Sequence, residues 1–256
     1  MSSRLRTIVF ALAVLCLLPA VAHVVWNLPR FGAHPLPYGD AINAAGVRER
    51  HVTNMVSAVN FDYRGFDTLG EEFMLLCAVT GTSVLLRGSR GERCDDPQRV
   101  PGRTLRARSD GVVLICRMMG ALSVLFGIYV MLHAMTTPGG GFQGGVITAS
   151  GFLLVFLGEG YRGWRRVMRS GILDACEGGG ATLYALCGFA SMIVGLPFLQ
   201  NIMPLGKTKD LFSGGLMLVE NFGVGCAVAG GFAVLFLEFL EETRQKPSDD
   251  QQQDEA

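Results

Sequence analysis

The sequence predicts an all-α, polytopic membrane protein of about six transmembrane helices, with both termini cytoplasmic. Three observations carry that prediction. Half of the 256 residues are hydrophobic and only 17% are charged, where soluble domains average about 25% charged. The mean hydropathy is +0.36. Six apolar runs, at about 7–26, 68–87, 111–135, 142–159, 180–199 and 211–240, mostly approach the ~20 residues that cross a bilayer core. Glycine, at 34 residues, is about twice its usual share, as in membrane helices that pack closely. A net charge of zero argues against a nucleic-acid partner. The lipid bilayer is the partner these runs imply, and the cytoplasmic membrane is the expected location.

The first run follows Arg4 and Arg6 and passes Ala20-Val21-Ala22, which resembles a signal-peptide cleavage site. A retained helix is the favoured reading, because apolar character continues to Trp26, a residue suited to an interfacial anchor. Either reading leaves residue 28 outside. The outer segment 28–67 opens with Pro29, Pro35 and Pro37, which disfavour helix. From Val47 to Val59 its pattern permits a short helix lying on the membrane surface.

Glu71 and Glu72 open the second run, behind Asp62, Arg64 and Asp67. A solvated helix start, favoured by the helix dipole, and an ion-handling role both remain open for them. The charged, Gly/Pro-punctuated stretch 88–110 reads as an irregular cytoplasmic connector. The third run carries Arg117, which can snorkel, and, close to its outer end, His133, one helical turn before the Gly-rich stretch. A structural hydrogen bond for His133 is favoured over proton relay, although its pKa range permits relay.

Between the third and fourth runs lies Thr136–Gly145, T-T-P-G-G-G-F-Q-G-G. Pro138, Gly139, Gly140, Gly141, Phe142, Gln143, Gly144 and Gly145 form its core. Proline and repeated glycine oppose a continuous helix, so a tight hairpin is expected, with other backbone packed close to it. No Gly-Lys-Ser/Thr follows, which excludes a phosphate cradle. The fourth run ends at Glu159 beside Arg162, Arg165 and Arg166, where an interfacial ion pair is expected. Asp174 and Glu177 precede the fifth run as helix N-terminal acids or as ion-handling groups. Glu220 lies about ten residues into the sixth run, next to Asn221. A carboxyl there must be neutral, paired or facing water, so it is the leading ion-path candidate. Gly223, Ala227 and Gly231 mark a close-packing face on the same run, and the tail from Glu241 reads as disordered.

With six alternating spans, 16 of the 22 basic residues fall inside. Arg30, Arg48, Arg50, Arg64, Lys207 and Lys209 remain outside, which is the positive-inside asymmetry. The seven cysteines (Cys16, Cys77, Cys94, Cys116, Cys176, Cys187 and Cys226) contain no C-x-x-C pair. No disulfide framework, metal site or cofactor is expected. G-x-S-x-G, H-E-x-x-H and Walker motifs are absent, so an enzyme is not expected.

Two blocks resemble a known family. P-G-G-G-F-Q-G-G with its flanking spans, over about 111–240, resembles the MnhB domain, the B-type chain of Mrp-type multisubunit sodium/proton antiporters. E-G-G-G-A-T-L-Y and N-F-G-V-G-C-A-V-A-G-G fit the same pattern. N-F-D-Y-R-G-F-D-T-L-G-E, residues 60–71, resembles the C-terminal end of the large A-type chain of the same antiporters, and the equivalent small subunit of membrane-bound hydrogenases. The resemblance implies four parts: a two-helix module 1–87, the connector 88–110, a four-helix MnhB-like domain 111–240 and a tail 241–256. It implies an accessory subunit of an assembly that exchanges Na⁺ for H⁺, with large antiporter-like subunits as partners. A redox-driven complex related to the hydrogenases is the close alternative, and a standalone small transporter the more distant one. The ion-path candidates are Glu220, Glu71, Asp67, Glu72, Glu177 and His133.

Overall fold

The computed structural model describes residues 3–28, 37–89, 109–167 and 170–242. Among them there are eight α-helices and no strand. They are α1 (Ser3–Trp26), α2 (Pro37–Arg50), α3 (Met55–Ala58), α4 (Gly65–Ser89), α5 (Asp110–Leu132), α6 (Gly141–Val167), α7 (Ser170–Ile193) and α8 (Leu216–Glu242). A π-helical turn, Val59–Tyr63, joins α3 to α4. Most of the connector and nearly all of the tail lie outside the described residues.

The chain divides into two compact units, Met1–Ile42 and Asn43–Ala256. In the first, α1 is apolar all round and its described side chains are exposed. Apolar exposure on every side suits a helix solvated by lipid rather than by water. Helix α2 begins at Pro37, a residue tolerated in the first turn of a helix, where its missing N–H would have no partner. The surface helix expected over 47–59 is therefore displaced. It runs 37–50, breaks at His51 with φ 55°, and resumes as α3.

The second unit is organised around α8, which packs against α4, α6 and α7. Its small residues explain why. A Cβ on Gly230 would stand 2.6 Å from Leu173 O and 2.8 Å from Glu177 N of α7, so only glycine lets these two backbones meet. Gly120 of α5 and Gly151 of α6 oppose each other in the same way, each within 2.9 Å of the other's carbonyl if given a Cβ. Without a hydrophobic drive between helices in lipid, such backbone contact supplies the packing. Tyr184, Met135, Met217, Val224 and Val228 fill the centre, with Val52 and Phe61 closing it from the segment before α4.

Five helices contain segments long and apolar enough to cross a membrane: Thr7–Trp26, Gly65–Leu86, Asp110–Leu132, Gly141–Gly160 and Leu216–Phe239. The expected span 180–199 is where the structure differs. Helix α7 starts ten residues earlier, so its first turns carry Asp174, Glu177 and three consecutive glycines, and it is not among those five segments. It ends at Ile193 because Gly195 takes φ 80° and Pro197 follows.

The Gly-rich stretch also differs in extent. Helix α5 stops at Leu132 and α6 starts at Gly141, so Phe142–Gly145 form the first turn of a helix rather than part of the reversal. Gly139 alone in the stretch takes a left-handed conformation, at φ 138°. Gly140 does not, and a Cβ there would meet only Gln143 Oε1 at 3.1 Å and Asn221 Oδ1 at 3.4 Å. A Cβ on Gly144 would stand 2.6 Å from Gly127 O. Gly144→Val should therefore abolish accumulation of folded protein, whereas Gly140→Ala should retain about half or more of it. Detergent-solubilised yield by size-exclusion chromatography measures both, and equal yields would contradict this packing.

Candidate ion-path site

Two asparagines hold the hairpin from outside. The last carbonyls of α5 and the first N–H groups of α6 have no partners within their own helices. Asn221 of α8 serves both sets. Its Oδ1 accepts from Gly141 N at 2.6 Å, and its Nδ2 donates to Met131 O at 2.7 Å. An amide carries donor and acceptor on one side chain, which is why asparagine can bridge these two ends. Asn54, at the start of α3, holds the carbonyl side of the hairpin from the segment before α4. Its Nδ2 lies 2.9 Å from Ala134 O, 2.9 Å from Thr137 O and 3.1 Å from Gly139 O, while its Oδ1 caps α3 at Val56 N. Ser57 Oγ donates to Ala134 O at 2.7 Å and Thr53 Oγ1 to Thr136 O at 2.8 Å. The hairpin's polar backbone is thus satisfied by α3 and α8.

Beside Asn221 on α8 stands Glu220, 1% exposed, with neither carboxyl oxygen hydrogen-bonded. Asp62 of the π-helical turn, and Tyr184 and Cys187 of α7, lie within its electrostatic reach. Tyr184 is fully buried and donates its hydroxyl to Gly65 O at 2.8 Å. It feels Glu72 of α4 as well as Glu220. Glu72 is also 1% exposed and has no hydrogen bond to either oxygen. Glu177 of α7 is buried, and its Oε1 is unpartnered.

The other sequence candidates sit elsewhere. Glu71 is exposed. Asp67 is half exposed and pairs with Arg64. His133 caps α5, its Nδ1 lies 3.1 Å from Tyr129 O, and its ring stacks on Tyr129. Its carbonyl accepts from Thr136 N and Thr137 N at 2.9 Å, so it builds the turn. Glu159 pairs with Arg117 of α5, a residue for which snorkelling alone was expected.

Above Glu220, Asp62 pairs with Arg50 at 2.7 Å. Arg50 also lies over the Tyr63 ring, and Tyr63 donates to Glu49 Oε2 at 2.6 Å. Burial pushes the Asp62 carboxyl above the usual carboxylate range, with Arg50 opposing it. Burial, and then the bond to Glu49, push the Tyr63 hydroxyl up to about 12. Sequence reasoning missed Asn54, Tyr184 and Glu238. Glu238 is 2% exposed and interrupts F-L-E-F-L near the end of the last run, which was a readable signal. Tyr184 closes the E-G-G-G-A-T-L-Y block quoted for the family resemblance, whereas Asn54 carried no signal.

The domain related to the MnhB subunit of Na⁺/H⁺ antiporters matches residues 112–234. The B-type chain of the Na⁺/H⁺ antiporter of Bacillus subtilis is 32% identical over 113 residues, which cover 40% of this chain and 78% of that one. The chain belongs to the MnhB family. Like the helices above, this makes it a multi-pass membrane protein. A probable K⁺/H⁺ antiporter chain of the A/B type from Rhizobium meliloti is 27% identical to this MnhB-family chain over 221 residues, 78% of this chain but only 22% of that longer one. Among solved structures, a chain of an archaeal respiratory complex, the membrane-bound sulfane sulfur reductase, aligns with TM-score 0.69 and 27% identity. The alignment covers 93% of this chain and 99% of that one.

The asparagine clamp generates a ranking. If Asn54 served only as a helix cap, Asn54→Asp would be neutral and Asn54→Ala harmful. Here Asp would set a carboxylate against three carbonyl oxygens, so Asp should destabilise more than Ala. Ala itself should cost about 2 kcal/mol or more through carbonyls left unpaired. Thermal unfolding in detergent gives the order, and Asp equal to Asn would sink the clamp.

Proposed function

We propose that this chain is a cell-membrane subunit of a multisubunit monovalent-cation/proton antiporter, that it contributes both to assembly and to the ion path, and that it catalyses no covalent chemistry. The observation that carries the proposal is Glu220, an unpartnered carboxyl buried in the central helix of an MnhB-family fold. Ionisable groups at such depth are costly and mark ion or substrate pathways. A brace could use glutamine there at lower cost. Glu72 and Glu177 join Glu220 in this path. The exposed Glu71 and Asp67 would act only as an approach to it.

Residues 1–87 are read as the C-terminal end of an A-type chain joined to a B-type domain. The likeness to a short part of the longer Rhizobium chain supports that reading. Large antiporter-like subunits are the expected partners, and Na⁺ and H⁺ the expected ions. The positive-inside asymmetry supports cytoplasmic termini. A second reading has a specific observation behind it. The likeness to a chain of the sulfane sulfur reductase complex supports service in a redox-driven assembly, where the same fold would belong to the ion-translocating part.

Native purification from membranes, with identification of the subunits that accompany the chain, separates the two. Antiporter-like subunits alone are expected, and metal-bearing redox subunits would move the assignment to the second reading. In vesicles, Glu220→Gln should preserve assembly and lower cation-dependent proton exchange by about tenfold or more, with Glu71→Gln within about twofold of wild type. Wild-type exchange in Glu220→Gln would make the residue a packing group.

A further inference from the structure

One buried acid, Glu238, has no part in the path described so far. Its position on α8 gives it one. Residues 220 and 238 are 18 apart, five full turns, so both side chains leave the same stripe of α8, about 27 Å apart along the axis. That separation is close to the ~30 Å thickness of a bilayer hydrocarbon core. The stripe between them passes Val224, Ala227 and Gly231, all buried.

The two remaining acids face this stripe from other helices. A Cβ on Gly231 would stand 3.7 Å from Glu177 Oε1 of α7 and 3.2 Å from a Val79 methyl of α4. Glu177 is therefore level with Gly231, about 16 Å from Glu220 along α8. Glu72 is two turns from Val79 on the same face of α4, which runs in the direction of α8. It is thus level with about Val224, some 6 Å beyond Glu220. Four buried carboxyls then succeed one another from the hairpin side to the far side, in steps of about 6 to 11 Å. At the hairpin end Asp62 and Arg50 stand over the first. Cys187 also faces Glu220, Glu71 neighbours Glu72, and Asp174 neighbours Glu177.

We propose that Glu220, Glu72, Glu177 and Glu238 form a proton file that crosses the membrane within this one chain, with Glu238 as its far-side step. The file is specific for protons because of what surrounds it. A bare monovalent cation needs several oxygens at once to replace its hydration shell. Glu72 and Glu220 have no hydrogen-bond partner on either oxygen, and the successive carboxyls stand about 6 to 11 Å apart along α8, too far for two of them to share one bare cation. A proton needs one oxygen at a time. The steps exceed a direct hydrogen bond, so transfer between them uses water or an intervening hydroxyl.

This inference rests on the antiporter reading, and the experiment separates the two. The assembled complex is reconstituted as wild type, Glu238→Gln and Glu177→Gln, with assembly checked by co-purification. Two fluxes are measured: proton movement driven by a Na⁺ gradient, and isotopic Na⁺/Na⁺ exchange at fixed pH. Wild type should show both. Each Gln variant should lose about tenfold or more of the proton flux and keep Na⁺/Na⁺ exchange within about twofold. Glu238→Asp, which retains a carboxyl, should restore at least about a third of the proton flux, and it decides the matter if the Gln forms fail to assemble. Joint loss of both fluxes would make the acids a Na⁺ route and overturn the file. Unchanged proton flux in the Gln variants, or an Asp form that assembles but carries no protons, would overturn it also. A wild-type complex with neither flux would remove the antiporter reading itself.

Discussion

The second unit depends on one side chain having both a donor and an acceptor. Asn221 closes the gap between the end of α5 and the start of α6 by bonding Met131 O and Gly141 N at once. Gly141 N has no partner within α6 and Met131 O otherwise accepts only at the α5 C-terminus, from Ala134 N at 3.4 Å, and buried backbone groups left unpaired are expensive in a non-polar surround. Because Asn221 belongs to α8, this bridge ties the α5–α6 hairpin to the central helix at a fixed register. The glycines around it follow as a consequence. Gly141, Gly144 and Gly145 must lie close to α5 and α8 for the bonds to form, and each would clash with a neighbour if it carried a Cβ.

The same constraint places the acids. Glu220 precedes Asn221 in sequence, so holding the amide in the hairpin turns the adjacent carboxyl toward α7 and the π-helical turn. There Tyr184, Cys187 and Asp62 lie within its electrostatic reach. Packing and charge placement are therefore one problem on α8. Its glycines bring α7 close enough for Glu177 to face Gly231, and its length carries the stripe on to Glu238. A helix that only filled the core would have no need of glutamate at these positions, since burying a carboxyl is costly even when it is paired.

Much of this was legible in the sequence. Apolar length and charge asymmetry predict a polytopic helical protein, and the Gly-rich stretch marks the reversal between α5 and α6. Glu220 stands out because a carboxyl about ten residues into an apolar run must be neutral, paired or facing water. The extents of the elements were less legible. Helix α7 recruits Glu177 because burial against α8 overrides its polarity, with Asp174 left exposed on the same turns, and the first turn of α6 tolerates three glycines because Asn221 caps it. Asn54 was invisible for a different reason. Its role is set by carbonyls some 80 residues away, and nothing local distinguishes it from any other helix cap. Glu71 and Glu72 looked equivalent in sequence. One faces out and the other in, since adjacent residues on a helix point about 100° apart.

The central claim, that Asn221 holds the hairpin to α8, can be read at the backbone amides themselves. Hydrogen–deuterium exchange of peptides covering 138–146 in the assembled complex should be slow in wild type. In Asn221→Ala it should become faster by about tenfold or more, while peptides from α1 stay unchanged. Exchange in that hairpin at the wild-type rate would show that packing alone holds it, and the account built on the asparagine bridge would fail.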